Sequence, residues 1–288
     1  MMLELRDKLE GGKFVITVEL EPPKGINTDK VVYYSNQLRD RVDAINITDC
    51  PMANLRMSPI AIAHIIRTKA NLDAIFHLTC RDRNIIGLQS ELLGAAALGV
   101  KNLLILTGDP PSVGDHPKSK GVFEVDSTGL VHIANTLKNG NDMSGNPLNE
   151  SPNFNIGVAA NPCAKDMSLE MEKLISKIEK GANFIQTQPV FDLEALNLFL
   201  EKVRHFHIPV IAGILPLKSM KMTRHIIEHI PGIEIPNWVE ERMKQGGRPE
   251  GIKIAVELLS QFRNMTQGVH IMPVGDANIV LEILEEEE

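Results

Sequence analysis

Several apolar runs of this sequence end in side chains that can exchange protons or bind polar groups. The clearest of these are Glu19, His77, Asp109 and Gln188. Pro22 and Pro23 follow Glu19 closely, and because proline cannot donate to a sheet ladder, the first run must end there as a strand. Carboxylate, imidazole and amide groups at strand ends, with little positive charge, suit a polar, uncharged heterocycle better than a multiply charged phosphate ester.

Each candidate also has a structural alternative. Glu19 could pair with a neighbouring lysine or arginine, and His77 could be a satisfied core histidine. Asp109 follows Thr107-Gly108 and could be only a turn residue, since Asp and Gly favour turns. In a parallel barrel, however, all strand ends face one mouth, and the common placement favours a site. The residues expected there are Glu19, Thr48, His77, Asp109, Asn161, Gln188 and the turn 213–216.

A second group of charged residues precedes a helical segment. Arg81, Asp82, Arg83 and Asn84 follow the His77 strand directly. Two cations at a helix N-terminus could bind a pyrophosphate. The alternative is an exposed helix start that Asn84 caps. Lys177 lies one helical turn after Lys173 and could bind phosphate too, or simply be solvated.

The three cysteines, Cys50, Cys80 and Cys163, each come just after a predicted strand. Three converging thiolates could bind zinc, as a thiol methyltransferase would require. No close pair of cysteines is present to organise such a site. We therefore predict no metal, and small packed thiols in their reduced form.

The pattern of apolar residues places these groups on alternating strands and helices. Strands are predicted at 14–20, 44–48, 74–79, 102–107, 155–160, 184–188, 209–215 and 269–272, and helices at 29–42, 58–69, 85–98, 127–137, 168–180 and 193–205. Eight strands with intervening helices predict an α/β protein, a single (β/α)8 TIM barrel. An open doubly wound sheet is the alternative, but no GxGxxG follows any strand, so a Rossmann site has no support.

The whole chain, residues 1–288, is predicted to be one barrel domain with loop insertions. These insertions lie near 110–120, 139–152 and 232–249, the last with Trp238 and a short extra helix. The acidic residues 285–288 are expected to form a solvated tail.

Composition excludes several classes of protein. The net charge of −7 and the pI near 5.8 argue against nucleic-acid binding, which usually requires a basic face. No apolar run approaches the ~20 residues that span a bilayer, so no membrane segment is expected. With no signal-peptide pattern at the N-terminus, we expect a cytoplasmic protein.

Five ordered motifs resemble those of the methylenetetrahydrofolate reductase family. They are 18–23 (VELEPP), 77–80 (HLTC), 106–110 (LTGDP), 187–192 (TQPVFD) and 213–216 (GILP). Residues 81–84 and 126–127 are similar to the reductase half of bacterial homocysteine methyltransferase–reductase fusions. The resemblance implies an FAD-containing barrel that reduces methylenetetrahydrofolate to methyltetrahydrofolate by hydride transfer from reduced flavin. Electrons would come from NADH or NADPH, or from an iron–sulfur partner subunit.

The resemblance also implies roles for individual residues. Glu19 matches the general acid that protonates a folate nitrogen, which requires a carboxyl with its pKa raised toward neutrality. Asp109 matches an aspartate near the flavin and the pterin, and Gln188 a folate-binding glutamine. The positions implied to bind or support FAD are Thr48, His77, Arg81, Asp82, Arg83, Asn84, Thr107, Gly108, Asp109, Asp126, Ser127, Asn161 and Lys177.

The chain departs from the family pattern at several positions. Met220 stands where many relatives have an aromatic residue that stacks on folate or nicotinamide, and it is still assigned to the substrate site. Gly275-Asp276 replaces an arginine of relatives, and Asn161 replaces a tyrosine. Relatives are commonly oligomers, so a homo-oligomer or a hetero-complex is expected. A zinc-thiolate methyltransferase and a non-catalytic barrel subunit remain the alternative functions.

Overall fold

Eight parallel strands close into a barrel in the computed structural model, which describes residues 4–230 and 232–287. The strands are β1 (Val15–Leu20), β2 (Ala44–Ile47), β3 (Asp73–Thr79), β4 (Asn102–Leu106), β5 (Asn155–Ala160), β6 (Phe184–Pro189), β7 (Val210–Ile214) and β8 (Gly268–Ile271). They follow in chain order, and β8 pairs with β1 to complete the ring. The predicted (β/α)8 barrel is confirmed, and the open sheet is wrong.

Helices connect the strands and cover the barrel. They are α1 (Leu5–Glu10), α2 (Asp29–Leu38), α3 (Pro59–Ala70), α4 (Ile85–Ala97), α5 (Ser127–Lys138), α6 (Met167–Glu179), α7 (Leu193–Val203), α8 (Met220–His229), α9 (Asn237–Arg263) and α10 (Asn278–Glu287). The predicted helices correspond to α2–α7. Within the described residues, no helix has the length and apolar character needed to cross a bilayer.

The last part of the chain differs from the sequence-based expectation. Residues 285–287 were predicted to be a solvated tail, but they form the last turn of α10, where Glu287 pairs with Arg263 at 2.5 Å. Residue 288 lies outside the described residues. In the third predicted insertion, α9 begins at Asn237 and changes direction at Gly247, which has φ 56°. Trp238 therefore lies in a short helical segment before that break.

An apolar plug seals the bottom of the barrel. Leu5 and Leu9 of α1 pack against alternate strand residues that point inward, which are Val15, Ala44, Ile75, Leu104, Phe184 and Ile211. Phe184 fits because its neighbour on β5 is Gly157, where a Cβ would come within 2.2 Å of the Phe184 ring. Buried polar residues lie on both sides of this plug: Asp73, Asn102 and Asn155 bond one another at the amino ends of β3–β5, and a second polar layer lies toward the carboxyl ends.

The predicted insertion at 110–120 helps to order the mouth of the barrel. It carries Asp115, whose carboxylate accepts hydrogen bonds from Lys24 Nζ at 2.7 Å and from Leu55 N at 3.0 Å. These bonds, with one from His116, hold the pKa of Asp115 below its usual range. The loops that follow β1, β2 and β4 are thus tied together. The insertion at 139–152 contains one isolated bridge, between Asn141 and Pro147.

Candidate active site

A cavity of about 250 Å³ opens at the carboxyl ends of the strands. Its lining includes seven of the residues predicted from the sequence, which are Glu19, Thr48, His77, Arg81, Gly108, Asp109 and Gln188. Gly108 has φ +89°, and a Cβ there would come within 2.9 Å of Thr79, so glycine keeps this wall open. We call this space the mouth cavity.

Glu19 lies at the inner edge of the mouth cavity, and its carboxylate faces a histidine. Glu19 Oε2 is 3.8 Å from His270 Nε2, and the Glu19 side chain is 22% exposed. Burial raises the pKa of Glu19, but the contact with His270 and the electrostatic interactions with His270 and His77 outweigh burial, so the net pKa lies below its ordinary value. The expectation of a raised pKa is therefore wrong for the free protein.

A layer of buried polar side chains lies between Glu19 and the apolar plug. His77 Nε2 is 3.0 Å from Asn46 Oδ1, and Asn46 Nδ2 is 3.2 Å from His270 Nδ1. Burial lowers the pKa of His77 to about 4, so this imidazole is neutral at pH 7. The sequence analysis missed Asn46 and His270. The sequence did contain a signal for both residues, because Asn46 and His270 are each a single polar residue within an apolar strand, as is His77.

Two buried atoms of the mouth cavity have no hydrogen-bond partner within the described residues. They are Thr48 Oγ1 and Gln186 Oε1, and both residues line the cavity. Buried polar atoms in folded proteins are nearly always hydrogen-bonded. A bound polar molecule would satisfy them. Gln186 is a further site residue that the sequence analysis did not select.

The two arginines near the start of α4 are bound to protein groups. Arg81 donates to the Asp82 carboxylate and to the carbonyl of Cys50, while Arg83 Nη1 donates to Asp49 Oδ2 at 3.0 Å. Asn84 Oδ1 accepts from Gly87 N, so Asn84 is the N-cap. This is the structural alternative considered for the segment. Of its four residues, only Arg81 lines the mouth cavity.

Other predicted residues lie outside the lining of the mouth cavity, namely Asp82, Arg83, Asn84, Thr107, Asp126, Ser127, Asn161, Lys177 and Met220. Asp126 caps α5, where its side chain accepts from Gly129 N. Lys177 Nζ donates to Ala159 O at 3.1 Å, directly behind the cavity wall, and burial lowers its pKa. Asn161 bonds Cys163 N and Gly232 O, and Met220 begins α8 against the apolar core.

The three cysteines are free thiols. Burial raises the pKa of Cys80 to about 12 and that of Cys163 to about 11, and both thiols stay protonated at neutral pH. Within residues 4–230 and 232–287, no three His, Cys, Asp or Glu side chains are grouped so as to hold a metal ion. The geometry does not favour the three-thiolate alternative.

A second cavity of about 340 Å³ meets the mouth cavity at Glu19. We call it the groove. Its walls come from the loop after β1, from α2 and from the loop after β8, with Pro22, Tyr34 and Val274 among its residues. Arg56 lines the groove and pairs with Glu21 at 3.1 Å. Glu19 thus lines both the mouth cavity and the groove.

Comparison with known proteins matches the chain to one family. A family model described as methylenetetrahydrofolate reductase matches residues 4–288. Methylenetetrahydrofolate reductase 2 of Schizosaccharomyces pombe is 25% identical over 295 aligned residues, which cover 93% of this chain and 44% of that protein. The 5,10-methylenetetrahydrofolate reductase of Pectobacterium carotovorum subsp. carotovorum is 24% identical, with 79% of this chain and 72% of that protein covered. The chain spans less than half the length of the fission-yeast relative.

Solved structures show the same fold. A Clostridium thermocellum protein described as binding two copies of 5-methyl-5,6,7,8-tetrahydrofolic acid superposes with a TM-score of 0.67. It is 16% identical, and the match covers 98% of each chain. At this identity the likeness establishes a shared barrel.

Proposed function

Because the chain belongs to the methylenetetrahydrofolate reductase family, we propose that it reduces methylenetetrahydrofolate to methyltetrahydrofolate, with Glu19 as general acid. The supporting observation is that Glu19, Asp109 and Gln188 line one cavity at the mouth of the barrel. An acid, a second carboxylate and an amide around one space suit a polar ring that becomes positively charged during reaction.

FAD is the cofactor that we propose, and the residues of the mouth cavity fit it. Thr48 Oγ1 and Gln186 Oε1 are buried without partners, and a ring with polar edges would satisfy them. Gly108 leaves room where a side chain would meet Thr79. When bound, FAD would supply the hydride. Arg81 also lines this cavity and would contribute positive charge near the cofactor.

Three residues of the chain would act on the folate. Glu19 would protonate a folate nitrogen, which opens the five-membered ring to a cationic iminium. Asp109 is exposed at the mouth and would stabilise that cation by its negative charge. Gln188 would hydrogen-bond the pterin and so fix its orientation.

Glu19 must gain a proton before it can act, since its pKa lies below the ordinary value in the free protein. A ligand that covers Glu19 removes water from a carboxyl already 22% exposed. Loss of water disfavours the charged form and raises the pKa. We therefore propose that substrate and cofactor binding converts Glu19 into its protonated form.

The source of electrons is proposed as NADH or NADPH, or an iron–sulfur partner subunit in a hetero-complex. Met220, at the first turn of α8, offers no ring for a nicotinamide to stack on. This observation supports the partner-subunit alternative, whereas a homo-oligomer that uses a nicotinamide follows the common pattern of the family.

An anaerobic visible spectrum of the protein reconstituted with FAD tests the proposal. We expect bleaching after addition of NADH or NADPH, and recovery of colour after methylenetetrahydrofolate. If only chemically reduced FAD is reoxidised by the folate, the folate reaction stands and the electron donor is a partner protein. Failure to bind FAD, or to reoxidise it with folate, would contradict the proposed function.

A further inference from the structure

A chain of hydrogen-bonding side chains crosses the barrel beneath Glu19, from β3 to β8. His77, Asn46 and His270 follow one another, with 3.0 Å between His77 Nε2 and Asn46 Oδ1 and 3.2 Å between Asn46 Nδ2 and His270 Nδ1. Thr17 Oγ1 lies 3.0 Å from the same His270 nitrogen. Asn46, His270 and Thr17 are fully buried, and His77 is 4% exposed. Thr17 Oγ1 also lies 3.3 Å from the carbonyl oxygen of Val269, and the apolar plug lies below these groups.

The amide of Asn46 determines which nitrogen of His270 carries hydrogen. Its Oδ1 accepts from His77 Nε2, so its Nδ2 is the donor toward His270 Nδ1. A nitrogen that accepts is unprotonated, and the hydrogen of a neutral His270 is therefore on Nε2. That atom has no hydrogen-bond partner within the described residues, and it faces Glu19.

We propose that His270 is a positioning residue for Glu19, and that Asn46 and His77 hold its Nε2–H toward the carboxylate. The distance of 3.8 Å between the two atoms is about 1 Å longer than a hydrogen bond. The β1 backbone fixes Glu19 beside Asn46 in the sheet register. This inference rests on the proposed function, because it concerns the acid of that reaction.

The arrangement has a consequence for proton transfer. When protonated Glu19 gives its proton to the folate nitrogen, a buried carboxylate remains. The N–H of His270 donates a hydrogen bond to that carboxylate and keeps its own proton throughout. The hydrogen bond from His270 thus favours the ionised form of Glu19, whereas burial favours its protonated form. The balance of the two effects sets the pKa of Glu19.

Other titratable groups surround Glu19 on both sides. The mouth cavity adds Asp49, Cys50, Arg81 and Asp109, and the groove adds Glu21, Lys24, Lys30, Tyr34 and Arg56. Several of these are paired with one another or with nearby groups, as in the ion pairs of Arg56 with Glu21 and of Lys24 with Asp115. His270 and His77 are the imidazoles that act on Glu19 from below.

The first test reads the hydrogen position on His270 without any activity assay. In protein labelled with ¹⁵N-histidine, the His270 signals are those that disappear in His270→Gln. We expect a protonated Nε2 and an unprotonated Nδ1 at neutral pH. An unprotonated Nε2 would overturn the proposal, regardless of the catalytic rates of the variants.

The second test is the pH profile for reoxidation of chemically reduced, FAD-loaded protein by methylenetetrahydrofolate. The rate falls with rising pH as Glu19 loses its proton. In His270→Leu the hydrogen-bond donor is absent, so the Glu19 carboxylate is less stable and its pKa is higher. We therefore expect the fall of the rate to occur about one pH unit higher than in the wild type. His270→Gln retains an N–H donor and should stay close to the wild-type profile.

The outcomes separate this inference from the proposed function. If wild-type protein is not reoxidised by folate, the proposed function fails, while the ¹⁵N spectrum still decides the hydrogen-bond arrangement. If the wild type reacts but His270→Leu shows only a lower rate with an unmoved profile, His270 merely supports the fold, and the positioning role is refuted.

Discussion

Two opposing effects act on the carboxyl group of Glu19. Burial raises its pKa, and the imidazoles of His270 and His77 lower it, with a net lowering in the free protein. A site of this kind keeps its acid ionised until a ligand excludes water, and then makes it available for proton donation. A residue that looks unsuitable as an acid in the empty cavity can therefore become one in the ternary complex.

Glu19→Gln should separate cofactor binding from folate chemistry. The amide has nearly the same shape as the carboxyl but cannot act as a general acid. We expect unchanged FAD binding and a loss of folate reduction of about 10²–10⁴-fold, the contribution of general-acid catalysis. Single-turnover reoxidation by stopped flow measures this loss. Wild-type rates in the variant would remove Glu19 from the mechanism.

Asp109→Asn should change the redox property of a bound flavin. Asp109 is exposed at the mouth cavity, and its negative charge disfavours an anionic reduced ring. Removing the charge should shift the midpoint potential of FAD upward and slow folate turnover. Spectroelectrochemical titration of wild-type and variant protein measures the shift. Equal potentials would place Asp109 away from the flavin.

At the scale of strands and helices, the order of elements and the strand-end residues were accessible from the sequence. The continuously apolar run 103–106 (LLIL) indicates a strand covered on both faces, and β4 runs from Asn102 to Leu106. The partners of the strand-end residues were not accessible. Asn46 and His270 lie 224 residues apart, and their contact follows from the closure of β8 on β1, which no local pattern encodes. Arg83 likewise looks like a free cation until the fold places Asp49 beside it.

Gly157 illustrates how one strand position controls the barrel interior. An added methyl would approach the Phe184 ring to 2.2 Å, and the closed sheet leaves neither strand free to move. We expect Gly157→Ala to lower the free energy of unfolding by ~1–3 kcal/mol, the usual effect of overpacking. The change is measured as the urea midpoint at constant slope.

Gly94→Ala is the matched control for Gly157→Ala. Gly94 is exposed in α4, and a Cβ there would have no neighbour within 4 Å. Alanine in a helix is more favourable than glycine by up to ~1 kcal/mol, so this variant should be slightly stabilised. Equal destabilisation of both variants would contradict the packing account of the barrel interior.

The stability of the whole molecule should depend on pH through His77. Its pKa is about 4 in the folded protein, against an ordinary value of 6.5, because the imidazole is buried. Below pH 6.5 the unfolded chain binds a proton that the folded protein does not bind until about pH 4. The stabilisation is therefore fully present above pH 6.5 and declines as the pH falls. Between pH 6.5 and 5 the loss amounts to roughly 2 kcal/mol.

His77→Gln is the variant that isolates this effect. Glutamine can still donate a hydrogen bond to Asn46 but does not titrate, and every other ionisable group of the chain is kept. Urea unfolding from pH 7.5 to 5 should give a flatter stability curve for the variant, with the two curves converging toward the acid end. Glu19 contributes little to this window, because a carboxyl with a lowered pKa loses its stabilisation only as the pH falls below about 4.5. Parallel curves for the two proteins would show that His77 is not buried in its neutral form.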